Sequence, residues 1–203
     1  TFLAEPTAAF SSRPGAQAVQ LKTLGPDGKP VATHDVSRDE DPPLWASRFT
    51  ADPGVLNLRV SIVDAEGGEL EGWTHEVRVP DASDPAAALG TPVVISADSP
   101  SAFRALSVSD EAVPTLGREF RRTQRVLVRL PLRRDVAAGH TIVAELVNGQ
   151  GDILRQLPVT RGTSGAEVEL PVANLAQAEY VLRFTLRRGS ERATKLVPFA
   201  IVR

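Results

Sequence analysis

Alternation of apolar and polar residues is the dominant pattern along this chain. It is clearest at Leu56, Leu58, Val60 and Ile62, and it recurs from Tyr180 to Leu186. A period of two is typical of a β-strand with one buried side and one solvent-facing side. Sustained helical periodicity is absent, and the pattern indicates only short helices around residues 86–89 and 101–106.

A third alternating stretch contains the most basic strand of the chain. Val126, Val128 and Leu130 alternate with Arg125, Leu127 and Arg129. We interpret the first set as the buried side of a strand and the second set as its solvent-facing side.

Turn residues separate these segments in pairs, as in β-hairpins. The turns are Gly25-Pro26-Asp27-Gly28, Asp64 to Gly68, Asn148-Gly149-Gln150-Gly151 and Arg187 to Ser190. Glycine tolerates positive φ, and Asn and Asp bind nearby backbone N–H groups, so such clusters favour hairpin turns.

The second part of the chain carries enough strands for a β-sandwich. Strands are predicted at 93–97, 125–131, 141–147, 152–159, 166–171, 179–187 and 193–202. Seven short antiparallel strands in about 110 residues fit an immunoglobulin-like or fibronectin type III-like sandwich. Tyr180, at the start of the sixth strand, is placed to form a tyrosine corner, in which its hydroxyl binds backbone upstream.

The two parts of the chain align with each other at a shift of 123 to 124 residues. The turn around Gly28 then matches the turn around Gly151, and Leu58 matches Leu182. We interpret this as two copies of one β unit, although two β domains of similar length could align by chance. Phe2 falls on the second strand of the later copy, so the first copy is expected to lack its first strand.

The predicted fold class is therefore all-β, with two tandem immunoglobulin-like or fibronectin type III-like β-sandwiches. The predicted boundaries are 1–82 for the first domain, 83–91 for a linker and 92–203 for the second domain. Pro80 and Pro85 support the linker, since proline cannot continue a central ladder.

Composition excludes several classes of site. There is no Cys, which excludes disulfides, thiolate metal sites and a cysteine nucleophile. No apolar run is long enough for a membrane helix. There is also no Met, even at position 1, which is expected of a processed chain.

Charge is unevenly distributed. The net charge is −2, but residues 1–82 hold 7 Lys and Arg against 13 Asp and Glu, while residues 83–203 hold 16 against 12. We therefore expect no nucleic-acid partner. The basic residues are almost all Arg. Codon usage is one explanation, and the other is a functional need for Arg, which binds carboxylates in a bidentate manner.

The candidate interaction surface lies in the densest basic stretch, with the residues Arg118, Arg121, Arg122, Arg125 and Arg129. It is either a solvated strand face or a contact for the acidic first domain. Nucleic-acid binding would need stacking aromatic residues, and only Phe120 is near.

No catalytic, cofactor-binding or metal-binding residues are predicted. The three His residues are scattered, and Gly162-Thr163-Ser164-Gly165 lacks the second glycine of a nucleophile elbow. Acidic clusters that could attract calcium, at 39–41, 81 and 84, 98, and 110–111, lack a calcium-loop pattern. We expect a protein that is not an enzyme, with no cofactor and no small-molecule ligand.

Trp45 and Trp73 are the only tryptophans. We expect both in the core of the first domain. If both were exposed together, they would instead indicate a carbohydrate or protein contact.

Several segments resemble a known family. Leu56 to Gly68, the run Glu76-Val77-Arg78-Val79-Pro80-Asp81 and the closing Pro198 to Val202 are similar to the C-terminal tail of von Willebrand factor A-related exported bacterial proteins, of the kind common in acidobacteria. The family's metal-binding Asp-x-Ser-x-Ser is not matched by Asp98-Ser99-Pro100-Ser101, so the A domain itself is not represented. The resemblance implies export and a non-catalytic β tail.

These observations lead to one functional hypothesis and two alternatives. The hypothesis is a structural or protein-interaction module of an exported bacterial protein, outside the cytoplasm, serving as an accessory subunit that binds protein partners. The first alternative is a carbohydrate-binding or other accessory module of a secreted enzyme. The second is a hydrolase with an unrecognised site, which would need clustered His, Ser and carboxylate side chains.

Overall fold

The computed structural model describes residues 2–4, 15–40, 43–81, 83–109, 112–133, 140–162 and 165–203. Its internal contacts divide the chain into two compact units, Thr1–Asp81 and Ala82–Arg203, which we call unit 1 and unit 2. Strands dominate both units, and the longest helix among the described residues has nine residues. The all-β fold class is confirmed.

The described residues of unit 1 form seven strands in two antiparallel sheets. The strands are β1 (Phe2–Ala4), β2 (Ala18–Leu24), β3 (Pro30–His34), β4 (Ser37–Glu40), β5 (Pro43–Ser47), β6 (Gly54–Val63) and β7 (Glu69–Val79). One sheet has the order β3-β2-β6-β7 and the other has the order β1-β5-β4. The predicted hairpins β2-β3 and β6-β7 are therefore confirmed.

In the part of unit 2 that the structure describes there are nine strands and one α-helix. They are β8 (Val93–Ala97), α1 (Pro100–Val108), β9 (Glu119–Arg121), β10 (Arg125–Pro131), β11 (Thr141–Asn148), β12 (Ile153–Leu157), β13 (Thr160–Arg161), β14 (Gly165–Leu170), β15 (Glu179–Arg188) and β16 (Glu191–Val202). Short 3-10 helices occupy Pro85–Ala88 and Val172–Asn174. All seven predicted strands of this unit are present.

The two sheets of unit 2 enclose one hydrophobic core. Their strand orders are β13-β14-β10-β8 and β12-β11-β15-β16-β9, and β9 alone runs parallel to its neighbour. Val128 of the first sheet belongs to the same buried cluster as Leu182 and Phe184 of the second, and all three side chains are fully buried. This is a β-sandwich with the strand order of an immunoglobulin-like domain.

Turn chemistry explains the hairpins that position these sheets. In the β11-β12 turn, the Asn148 side-chain oxygen accepts from the backbone N–H groups of Gln150 and Asp152, at 3.0 and 2.8 Å. Gly151 has a φ of +92°, which other residues rarely adopt. The residues within the turn are therefore enough to predict the β11-β12 hairpin.

The opposite face of β10 differs from the prediction. Leu127 and Arg129 were expected to face solvent, but both are buried. Helix α1 covers this face, and its Phe103 packs with Leu127 and Ile95 in a second hydrophobic cluster. Ser99 caps the helix by accepting from the N–H of Ala102.

The second half of segment 83–91, which was predicted as a linker, packs against unit 2. Ala88 and Leu89 are buried in the core of unit 2. The carbonyl of Ala88 accepts from the N–H of Arg133, and Leu89 bridges to Leu132. Apolar burial therefore ties the C-terminal part of segment 83–91 to unit 2.

The two units share a strand order that agrees with the proposed internal repeat. The order β3-β2-β6-β7 corresponds to β12-β11-β15-β16, and the order β1-β5-β4 corresponds to β10-β14-β13. The counterparts of β8 and β9 are absent from the described residues of unit 1. Two complete immunoglobulin-like domains therefore remain a prediction.

The predicted tyrosine corner is confirmed. Tyr180 is buried, and its hydroxyl donates to the backbone carbonyl of Ala176 at 3.1 Å. Its ring stacks against Phe199, with the ring centres 5.7 Å apart. The hydroxyl therefore gives the carbonyl of Ala176 a hydrogen-bond partner just before β15 begins.

We expect Tyr180→Phe to lower the unfolding free energy by about 1 kcal/mol, because the ring is retained while the Ala176 carbonyl loses its partner. Urea unfolding followed by far-UV circular dichroism measures this change. An unchanged transition midpoint would show that the corner contributes nothing.

One face of the β6-β7 hairpin in unit 1 is held by a polar cluster. The guanidinium of Arg59 binds the carboxylate of Glu69, and the Ser61 hydroxyl donates to the same carboxylate at 2.7 Å. The hydrogen bond from Arg59, followed by that from Ser61, lowers the pKa of Glu69 from 4.5 to about 2. The carboxylate therefore favours the folded state when it is charged.

We expect Glu69→Gln to destabilise unit 1 slightly at pH 7, and the difference from wild type to shrink below pH 4.5. Because the folded-state pKa is depressed, the contribution is present above the unfolded-state value and is lost as pH falls towards 2. Tryptophan emission reports this unfolding, since both tryptophans lie in unit 1. Glu66→Gln, exposed in the same hairpin, is the control and should show no such pH dependence.

Candidate interaction surface

The five predicted arginines do not form one open surface. Arg118 is half-buried, and its guanidinium donates to the carbonyls of Thr115, Leu116 and Gly117, at 2.6, 2.9 and 3.0 Å. Burial lowers the pKa of Arg118. This side chain fixes the loop that precedes β9.

Arg129 anchors helix α1 to β10. Its side chain is almost fully buried, and it pairs with Glu167 on β14 at 2.7 Å. The same guanidinium donates to the carbonyls of Ser109 and Ser107 at the C-terminal end of the helix. The positive charge of Arg129 also interacts favourably with the negative, C-terminal end of the helix dipole.

The other three arginines are more accessible. Arg125 pairs with Glu169 at 2.6 Å and lies over the ring of Phe103, 4.5 Å from its centre. Arg121 and Arg122 are exposed beside the β9-β10 turn. The basic stretch therefore divides into structural side chains and a small exposed group.

The two tryptophans lie in different environments. Trp45 is buried, as expected, and the guanidinium of Arg38 lies over its ring at 5.3 Å from the centre. Trp73, also expected in the core, is 44% exposed on β7. They do not form a shared exposed platform, which is what the carbohydrate-binding alternative required.

The remaining candidates do not converge on one place. His34 on β3 stacks on Phe49, with the ring centres 4.0 Å apart, while His75 lies exposed on β7. Thr163, Ser164 and the acidic pair at 110–111 lie outside the described residues. Within the described ranges, no group of three or more His, Asp or Glu side chains is placed to hold a metal ion.

An apolar row crosses the outer face of unit 2. Pro198 lies opposite Val181, Val181 opposite Val147, and Val147 opposite Ile153. Pro198 on β16 and Val181 on β15 alternate with buried neighbours such as Leu182, so they point away from the core. The register places Val147 on β11 and Ile153 on β12 beside them, although Val147 is only 6% exposed. We call Pro198, Val181, Val147 and Ile153 the apolar row.

The apolar row is open to solvent at its two ends. Ile153 is 54% exposed, and Leu196, two residues from Pro198 on the same side of β16, is 59% exposed. A shallow groove of about 600 Å³ lies over Val147, Val181 and Pro198 and is also lined by Tyr180 and Phe199. Both rings are buried, so the groove presents mainly aliphatic surface.

Charged side chains border the apolar row. Arg183 and Glu145 pair across β15 and β11 at 2.9 Å, next to Leu196. Arg118, Glu119 and Glu179 line the opposite part of the groove. An apolar centre with a charged border is the usual composition of a protein-binding surface.

Sequence analysis missed this surface, although a signal was present. Val181 interrupts the alternation of β15, where an outward position should be polar, and Val147 does the same on β11. Aliphatic residues on both sides of a strand indicate that both sides are covered, by the protein itself or by a partner.

No protein-family model and no curated protein matches the sequence. Separately, the described part of the chain contains no helix long and apolar enough to cross a bilayer.

We expect Arg129→Met to destabilise unit 2 by about 3 kcal/mol. The substitution removes one partner of a buried ion pair, and it also removes the hydrogen bonds that the guanidinium donates to the carbonyls of Ser107 and Ser109. Arg125→Met is the matched control on the same strand face, and it should cost less than about 1 kcal/mol because its pair with Glu169 is partly exposed. Urea unfolding by far-UV circular dichroism compares the two. Equal losses would contradict the structural role of Arg129.

Proposed function

We propose that this chain is a non-catalytic protein-interaction module of an exported bacterial protein, of the kind that docks an accessory subunit onto a larger assembly. The observation that carries the proposal is the apolar row with its exposed flanks, Ile153 and Leu196. A soluble domain keeps few contiguous apolar side chains on an outer sheet face unless they meet a partner.

The rigidity of the sheet that carries the apolar row supports a binding role. The row lies on four paired strands, and the core beneath it includes fully buried Leu182 and Phe184. A surface fixed in this way loses little conformational entropy on binding.

The proposed location is extracytoplasmic, either periplasmic or at the cell surface. It rests on the resemblance of the segments around Leu56 and Pro198 to the tail of exported proteins. The absence of cysteine is compatible with this location, since disulfides are common but not required in exported domains.

The apolar row can be tested by substitution at its most exposed flank. We expect the wild-type chain to capture a saturable protein partner from an extract of the source organism, and Leu196→Glu to abolish that capture by placing a charge at the interface. Val108→Glu is the matched control, because Val108 is 84% exposed at the end of α1. Capture that is lost equally in both variants, or in neither, would contradict the proposal.

A further inference from the structure

The groove of unit 2 follows three successive outward positions of β16. Leu196, Pro198 and Ala200 all line it, and they alternate with buried residues such as Phe199. Successive outward side chains of a strand are about 7 Å apart. An extended polypeptide segment has the same spacing along one side, so it can place every second side chain over these positions.

Two glutamates flank the Ala200 end of the groove. Ala200 lies opposite Glu179 on β15 and opposite Glu119 on β9, so the three residues form one row across the sheet. Both glutamates are exposed, and both line the groove. Because neighbouring strands are about 4.8 Å apart, the backbones of the two glutamates are separated by about 10 Å, with the small side chain of Ala200 between them.

The two carboxylates lack internal partners. Among the described residues, no ion pair or side-chain hydrogen bond engages Glu119 or Glu179. Arg118 also lines the groove, but its guanidinium donates to three carbonyls of its own loop. Arg121 lies two residues beyond Glu119 and is not part of the groove lining. The position above Ala200, between two unpaired carboxylates, therefore favours a cation.

The neighbouring row of the groove is apolar. Pro198 lies opposite Val181, one outward position along from Ala200 and Glu179. Pro198 is exposed, Val181 is half-buried, and Leu196 at the next position is 59% exposed. The groove therefore places a position that favours a cation next to two apolar positions, at the spacing of alternate residues in an extended chain.

The opposite end of the same sheet face has the reverse charge. Arg187 lies opposite Arg192 on β15 and β16, and both side chains are exposed. They point outward because their neighbours Leu186 and Ala193 are buried. Ala200 is about 27 Å from Arg192 along the strand. Charge therefore fixes which end of the face receives a basic side chain.

We propose that this groove binds an extended, basic segment of a partner protein. A Lys or Arg side chain of the segment lies between Glu119 and Glu179, and an apolar side chain two residues away lies over Val181 and Pro198. Ion pairing selects the basic residue, and burial of the apolar row contributes affinity. The proposal rests on the proposed function, because it specifies the chemistry of the partner that the apolar row receives.

The test uses the full chain, isotopically labelled for NMR, and three capped synthetic peptides. With the peptide Ser-Arg-Thr-Leu-Thr-Leu-Ser, we expect saturable shifts of the amide signals of Glu119, Glu179, Val181 and Ala200. The same peptide with Glu in place of Arg should cause no such shifts. A third peptide, with Arg and the following Thr exchanged, should bind more weakly, because its arginine then points away from the groove.

Chain variants locate the binding. Replacing both Glu119 and Glu179 with Gln removes two exposed ion pairs, so it should weaken binding of the arginine peptide roughly fivefold. Glu191→Gln is the matched control, because Glu191 is an exposed carboxylate on β16 outside the groove, and this variant should bind as wild type does.

Three results would overturn the proposal. The first is equal affinity of the double Gln variant and the Glu191→Gln control for the arginine peptide. The second is equal affinity of the arginine peptide and either of the other two peptides. The third is the absence of saturable shifts at millimolar concentrations of the arginine peptide.

Further outcomes separate this proposal from the proposed function. A concentration-dependent dimer that the double Gln variant dissociates would show that a second copy fills the groove, and would overturn a partner segment of this kind. Loss of the peptide response with retained, Leu196-dependent capture would contradict only the basic segment. A charge-dependent peptide response, together with capture that Leu196→Glu leaves unchanged, would contradict only the capture proposed for the apolar row.

Discussion

Coverage of the apolar side of the last strand is the constraint on which this architecture depends. A sheet with one apolar side is stable only when another layer excludes water from it. In unit 2, Phe120 of β9 packs near Phe199, with the ring centres 6.3 Å apart, and Ala88 of the first 3-10 helix lies in the same core. In unit 1, Val77 on β7, the strand that corresponds to β16, is 40% exposed, and the described residues hold no counterpart of β8 or of β9. The two units therefore share a strand order but differ, among the described residues, in the elements that flank it.

Arginine has two distinct roles within unit 2. Arg118 and Arg129 satisfy backbone carbonyls in a loop and at a helix end, where a single guanidinium can serve several acceptors. Arg125 instead forms a partly exposed pair with Glu169. A basic stretch in a sequence therefore does not by itself identify a binding surface, because the burial of each side chain decides its role.

Local patterns predicted much of the fold. Hairpin turns depend on residues within the turn, such as Asn148 and Gly151, and alternation depends on which side of a strand is apolar. Tyr180 was identified because its position relative to the strand start is enough to define the corner. These features need no knowledge of distant contacts.

Features that depend on burial by elements distant in the sequence could not be predicted from local patterns. Leu127 looked solvent-facing because nothing in its own strand indicates that α1 lies over it. Trp73 was expected in the core, yet it is 44% exposed on β7, because the coverage of a strand face depends on elements distant in the sequence. The apolar row required the register between four strands, since Val147 and Val181 are far apart in sequence.

Residue-level amide hydrogen exchange by NMR tests the central claim most directly, by following β16 in the full chain. The account predicts slow exchange throughout the segment of β16 that pairs with β9, at Ala200 to Val202. Rapid exchange of these amides would contradict it, because β9 would then leave the last strand uncovered.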